Sequence, residues 1–234
     1  DLSRLILLRH GQSLWNRERR FTGWKDIDLS PQGIDEARHA GRMLRRAGIE
    51  VDVAYTSLLK RAERTLWIVL EEMDLMKIPV VKSWRLNERA YGSFEGWRLE
   101  EAEDKYGAEK VRQWRKGFYQ RPPALEGGPC PRGEAIRPIE PAARLAPSSE
   151  SLKDVQERLL PLWQGQIAAC LEKGRSVLVV SHGNTLRALI KHIEEISDQG
   201  IEKLEVHTAV PILYELDERL RPVERHELVN GDMR

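Results

Sequence analysis

Two apolar runs dominate the hydropathy pattern, Leu5 to Leu8 and Val177 to Val180. Each is continuous rather than alternating, which predicts strands buried on both faces in a sheet covered by helices. Ser13 opens a helix after the first run. Ser30-Pro31 predicts a second helix, with a capping serine and a proline at its first position. Ala37, Ala40, Gly41 and Leu44 give that helix a small-residue face for close packing on a sheet, and Gly48 ends it. Val51 to Tyr55 predicts a short strand. Thr56-Ser57 reads as the cap of a helix carrying Arg61, Ala62, Thr65, Leu66 and Val69, and Ile78 to Val81 as another short strand. Helical spacing resumes after Glu150-Ser151 with Leu152, Val155, Leu159, Leu160 and Trp163. Asn184 starts a further helix after the second apolar run, with Leu186, Leu189 and Ile190. Pro211 to Leu216 is expected to close the sheet, leaving the charged segment after Leu220 as a tail.

Strands alternating with helices predict an α/β fold of three layers, a mostly parallel sheet flanked by helices. No internal repeat or second boundary divides it, so residues 1–234 read as one domain. Residues 117–149 interrupt the pattern. They hold seven of the chain's twelve prolines, and a segment of that length inside a domain reads as a functional lid or an insert.

Composition narrows the function classes. The chain carries 38 Lys plus Arg against 37 Asp plus Glu, a net charge of +1. No global field therefore selects nucleic acid or an anionic membrane, and any anion specificity must come from a local cluster. The apolar runs are too short to span a bilayer. No secretory signal is visible in a sequence that begins at Asp1. Cys130 and Cys170 alone imply neither a disulfide framework nor a zinc site, which fits a reducing, cytoplasmic setting. No H-E-x-x-H motif or cysteine pair suggests a metal.

The chemistry concentrates where the two buried strands end. LLRHG, residues 7–11, and VVSHG, residues 179–183, each deliver a histidine followed by glycine. In open parallel α/β sheets, ligands bind at the carboxyl ends of strands, so His10 and His182 are expected to share one crevice. Gly11 is expected to let an anion approach the backbone.

The longer strings RHGQSLWN, FTGWKDIDLSPQG, YTSLLKRAERT, WRLNERAYG, ESLKD, SHGNTLRALIKH and PILYELD resemble the cofactor-dependent phosphoglycerate mutases. These belong to the histidine phosphatase superfamily, and the likeness runs from about residue 5 to residue 217. The resemblance implies a phosphoglycerate mutase-like sheet with helices on both faces. It makes His10 the nucleophile that carries the phosphoryl group, a task that suits a neutral imidazole near pH 7. Arg9 and Arg61 would clamp the group in transit, with His182 as a further donor. Glu88 would be the general acid–base residue. Ser13, Asn16, Thr22, Gly23, Gly183 and Asn184 would bind phosphate or substrate, and so would Arg89 and Tyr91. Arg115 and Lys116 carry two readings, substrate contact or a solvated helix face.

The same resemblance implies a small phosphorylated substrate, 2,3-bisphosphoglycerate as primer, no metal, no nucleic-acid or membrane partner, and a homodimer or homotetramer. Some positions depart from the mutases. Ala90 stands where they carry histidine, Leu99 where they carry lysine, Lys116 in place of the second of two arginines, His207 for proline and Ala209 for glycine. Glu95-Gly96, spaced after Glu88, resembles the phosphatase branches, in which water accepts the phosphoryl group. The reading is a phosphoglycerate mutase. A phosphatase of a small phosphorylated metabolite is the alternative, and a non-catalytic phosphate-binding protein a third.

Overall fold

The computed structural model describes residues 2–124, 147–230 and 232–233. The middle of the expected lid, residues 125–146, lies outside the described residues, as does Cys130. Strand β1 (Ser3–Arg9) and strand β2 (Val53–Thr56) flank helices α1 (Leu14–Arg17) and α2 (Pro31–Arg46) in sequence. Helix α3 (Lys60–Glu72) leads to β3 (Val80–Lys82), and α4 (Leu99–Tyr106) and α5 (Ala108–Lys116) follow. Helix α6 (Leu152–Leu162) runs through a π-turn at Trp163–Ile167 into α7 (Ala168–Glu172). Then come β4 (Val177–Ser181), α8 (Gly183–Ile193), β5 (Ile212–Leu216), β6 (Pro222–Val229) and β7 (Asp232–Met233).

The sheet order is β3-β2-β4-β1-β5-β6-β7. The half made of β3, β2, β4 and β1 is parallel, and β5, β6 and β7 pair antiparallel beyond it. Alternate residues of β1 and β4 point into two separate cores. Leu5, Leu7, Val177 and Val179 pack under α6 and α8, whereas Ile6, Leu8, Leu178 and Val180 pack under α2 and α3. Burial on both faces is why these strands are continuously aliphatic.

Ser30 caps α2 as its sequence suggests, its Oγ accepting from Gly33 N. Other expectations change. Thr56-Ser57 does not cap α3: Thr56 Oγ1 donates to Val180 O and Ser57 Oγ meets His182, and Asp26 Oδ1 takes the Lys60 N–H instead. The segment after Leu220 is a strand rather than a tail. Its backbone pairs with β5, and the Asp217–Arg221 reversal that joins them carries Leu220 at φ 57°. The strand reads as charged because Arg225 satisfies Glu194 and Glu227 at the sheet's margin, while Leu228 alone reaches full burial. No helix among the described residues is long and apolar enough to cross a membrane.

Gly11 serves packing rather than ligand approach. A Cβ there would stand 2.2 Å from Gly33 O, at the first turn of α2. A Cβ on Gly33 would be equally tight, 2.0 Å from Gln12 O. Gly11→Ala is therefore expected to destabilise the fold by about 1–3 kcal/mol, read as a lower urea midpoint at unchanged m-value. A midpoint equal to wild type would mean the two glycines are not in obligatory contact.

Candidate active site

Parallel pairing of β1 with β4 sets Arg9 opposite Ser181, so the next residues, His10 and His182, emerge side by side. His10 N donates to Ser181 O, and the two rings meet edge to face with centroids 5.0 Å apart. His10 Nδ1 lies 2.6 Å from Gly11 O. A carbonyl only accepts, so Nδ1 carries the ring hydrogen and Nε2 keeps its lone pair. Burial, then the charges of Arg61 and Arg9, hold His10 well below the usual histidine range, against a raising contribution from the Gly11 contact. His182 is likewise depressed by burial and by Arg61. Both rings thus stay neutral as pH falls through the ordinary histidine value.

His182 Nε2 is 2.8 Å from Ser57 Oγ, which also accepts the Leu59 N–H. Among the described residues its buried Nδ1 has no partner, nor has Arg9 Nε. Unpaired buried polar atoms are costly, and these two lie on the residues that flank His10.

Arg61 comes from the first turn of α3. Its Nη1 donates to Lys25 O at 2.7 Å and its Nη2 to Gly23 O at 2.8 Å. Burial pushes its pKa down to about 10, with Glu88 the leading opposing charge. Arg9 is also lowered by burial and is anchored through Nη1 to Val206 O. Glu88 lies on a stretch tied to β4 and α8 by Ser181 Oγ on Leu86 O and Thr185 Oγ1 on Asn87 O. Its Oε1 accepts from Arg89 N, and its Oε2 sits 3.5 Å from Asn184 N.

His10, Arg9, Arg61 and Glu88 line a cavity of about 460 Å³. Of the residues expected at the site, Arg9, His10, Asn16, Thr22, Gly23, Arg61, Glu88 and Tyr91 form its wall, as do Arg115, Lys116, Gly183 and Asn184. His182 stands beside His10 but is fully buried and not on the wall. Two others are not brought to the wall. Ser13 is buried as the cap of α1, its Oγ accepting from Asn16 N. Arg89 is fully buried and donates to Glu150 O and Gln120 O, so it ties the ends of the proline-rich segment to the Glu88 stretch.

Arg115 and Lys116 are half-buried on the cavity wall rather than on a solvated face. Burial, followed by Arg187, lowers the Lys116 pKa, and Glu205 lies 3.5 Å from its ammonium.

The structure adds wall residues that sequence reading passed over, Arg19, Arg20, Arg187 and Glu205, and it brings His207, one of the departures from the mutases, to the same wall. Arg19 and Arg20 sit in the run NRERR, which looks like a solvated charge cluster. Arg19 has a left-handed backbone at φ 57°, and its carbonyl accepts from Leu99 N. Arg187 did carry a signal, a cation inside the apolar run Leu186 to Ile190. It donates to Lys116 O, Arg115 O, Leu204 O and Ile201 O, bracing the end of α5 against α8.

Glu95 supports the wall from behind. Its Oε1 accepts from Trp24 N at 2.8 Å. Gly23, at φ 56°, leaves the room: a Cβ there would fall 1.8 Å from that oxygen. Burial pushes the Glu95 pKa up to about 7 from 4.5. A carboxyl raised by folding contributes stability below its unfolded pKa and loses it as pH rises through the folded one. Glu95→Gln, a mimic of the protonated acid, should gain in melting temperature relative to wild type between pH 5 and pH 8. A difference constant across that window would contradict a buried, proton-holding Glu95.

Among the described residues, no group of three or more His, Cys, Asp or Glu is placed to hold a metal ion. The family model described as the histidine phosphatase superfamily, branch 1, matches residues 5–227. Among solved structures, Bacillus stearothermophilus YhfR is 26% identical with a TM-score of 0.70, covering 98% of this chain and 96% of its own. A mycobacterial glucosyl-3-phosphoglycerate phosphatase complexed with VO3 is 24% identical, TM-score 0.72, over 97% and 98% of the two chains. A phosphoglycerate mutase from Bacillus anthracis str. Sterne is 24% identical, TM-score 0.68, over 99% and 94%. The last two likenesses extend to the fold. With paired strand-end histidines inside a match spanning nearly the whole chain, this protein belongs to branch 1 of the histidine phosphatase superfamily.

Proposed function

We propose that this chain is a phosphoglycerate mutase, interconverting 3-phosphoglycerate and 2-phosphoglycerate through phospho-His10. One observation carries the reading. His10, with a free Nε2, stands between Arg9, Arg61 and Glu88 in a cavity whose other walls hold Arg19, Arg20, Arg115, Lys116 and Arg187. The first set suits a phosphoryl group in transit, and the second a separate anionic group on the same small molecule.

His10 Nε2 attacks phosphorus as the bond to the substrate oxygen breaks. Arg9, Arg61 and His182 Nδ1 stabilise the equatorial oxygens, and Glu88 delivers the proton that the departing alkoxide needs. Return of the group reverses the roles. Glu88 removes the proton of the neighbouring hydroxyl, whose oxygen attacks phosphorus while the P–N bond pair goes back to Nε2. The cation-rich wall fits a bisphosphate in the same place, held by Arg9 and Arg61 at one end and Arg115 and Lys116 at the other. When bound, 2,3-bisphosphoglycerate supplies the phosphoryl group that primes His10. A reaction on such intermediates sets the enzyme in the cytoplasm.

A second reading is a phosphatase using the same histidine, with water as acceptor. Leu99 favours it, because it places an aliphatic side chain on the wall where the mutases have a cation. Arg19 O accepts from Leu99 N while the Arg19 guanidinium pairs with Glu100 at 3.0 Å, so the cations that favour transfer between hydroxyls are Arg115 and Lys116 on the same wall. Incubation with 3-phosphoglycerate, with and without catalytic 2,3-bisphosphoglycerate, separates the two. The mutase yields 2-phosphoglycerate, faster with the bisphosphate. Inorganic phosphate as the main product would establish the phosphatase.

A further inference from the structure

Arg158 and Glu150 form a buried ion pair outside the cavity, with Nε 2.7 Å from Oε2 and side chains 8% and 4% exposed. Removing two charges from water is expensive, and a buried pair seldom stabilises a fold more than two apolar side chains of similar size. Its value lies in what it holds. Arg158 Nη2 donates to Asn87 O and to Glu88 O, each at 2.9 Å, and Nη1 donates to Arg85 O at 2.8 Å. Glu150 grips the other side of the same stretch. Its Oε1 accepts from Ala90 N at 2.9 Å, and its own N–H donates to Ala90 O.

The backbone carrying Glu88 is thus clamped before, at and after that residue by one pair of opposite charges. Neither partner is on the cavity wall, and their polar atoms are spent on each other and on the backbone around Glu88. A backbone with fewer anchors lets a carboxyl drift by an ångström, and such a drift matters to proton transfer far more than to binding.

We propose that the Glu150–Arg158 ion pair is a positioning device that sets the Glu88 carboxyl for proton transfer to and from the substrate oxygen. The proposal rests on the reading of Glu88 as the acid–base residue.

The test compares two phosphoesters. 3-Phosphoglycerate has an alkoxide leaving group that needs a proton, whereas p-nitrophenolate leaves p-nitrophenyl phosphate without one. In Arg158→Met, kcat on 3-phosphoglycerate should fall by about 10- to 100-fold with KM within about threefold of wild type. The pre-steady-state burst of p-nitrophenolate release, which reports the first transfer alone, should change in rate by less than about threefold. Adding Arg158→Met to Glu88→Gln should cost little beyond Glu88→Gln alone. Arg158→Lys, which keeps one charge but loses the fork, should share the defect.

Equal losses on both esters, a loss confined to KM, or full additivity with Glu88→Gln would overturn the positioning role. If Arg158→Met does not fold, the isosteric Glu150→Gln carries the same comparison with a smaller loss. Glu88→Gln is the control for the underlying reading. Should it slow both esters equally, Glu88 is not the acid, and the proposed function fails at that step irrespective of Arg158.

Discussion

His10→Ala is expected to lower phosphoryl transfer by about 10⁴-fold or more, and to abolish incorporation of acid-labile phosphate. The size follows from what no neighbour can replace. Nε2 of His10 is the lone pair left available by the Nδ1 contact to Gly11 O, in a ring kept neutral by burial and two arginines. His182 is the nearest imidazole, yet its Nε2 is engaged with Ser57 Oγ. With the proposed nucleophile gone, one difficult displacement can no longer be split into two easier ones. Substrate binding should survive, since the cations of the wall remain, so equilibrium binding of 3-phosphoglycerate separates lost chemistry from lost structure. Rapid turnover in the variant would remove His10 from the reaction.

Arg61→Met should lower kcat by about 10²- to 10³-fold, the usual loss for one preorganised charge on a transferring group. A second effect accompanies it. Arg61 Nη1 and Nη2 are the donors that hold Lys25 O and Gly23 O, so the variant also frees the loop that presents Thr22 and Gly23. The buried Gly23 carbonyl then loses its partner, which costs about 1–3 kcal/mol if water cannot reach it, and the part-buried Lys25 carbonyl less. Arg61→Lys should recover little, because an ammonium restores a charge but not the fork that spans two carbonyls. Steady-state kinetics with both variants, beside their melting temperatures, checks this. Near wild-type kcat in Arg61→Lys would mean that charge alone is required.

The parts legible in sequence are those where one local pattern had one structural meaning. Continuous aliphatic runs could be satisfied only by burial on two faces, and they fixed β1 and β4 with the histidines at their ends. Misreadings arose where a distant partner took over a local role. Asp26 took the first amide of α3 that Ser57 looked suited to cap, and this released Ser57 for His182. The charged β6 resembled a tail because its hydrogen bonds and ion pairs, to β5 and Glu194, are invisible in its own residues. Within the site, the histidines, Arg61 and Glu88 were legible from motifs, whereas Arg19 and Arg20 hid in a charge run. Ser13 and Arg89 sit beside motif residues in sequence yet turn into the protein, where capping and carbonyl bonding occupy them.

The most direct measurement is the location of the phosphoryl group in enzyme incubated briefly with 2,3-bisphosphoglycerate and quenched in alkali. Phosphoryl transfer through His10 predicts a single phosphohistidine, on Nε2 of His10, seen by phosphorus NMR and by fragment mass. Label on His182, on a carboxylate or on no residue while product still forms would contradict it.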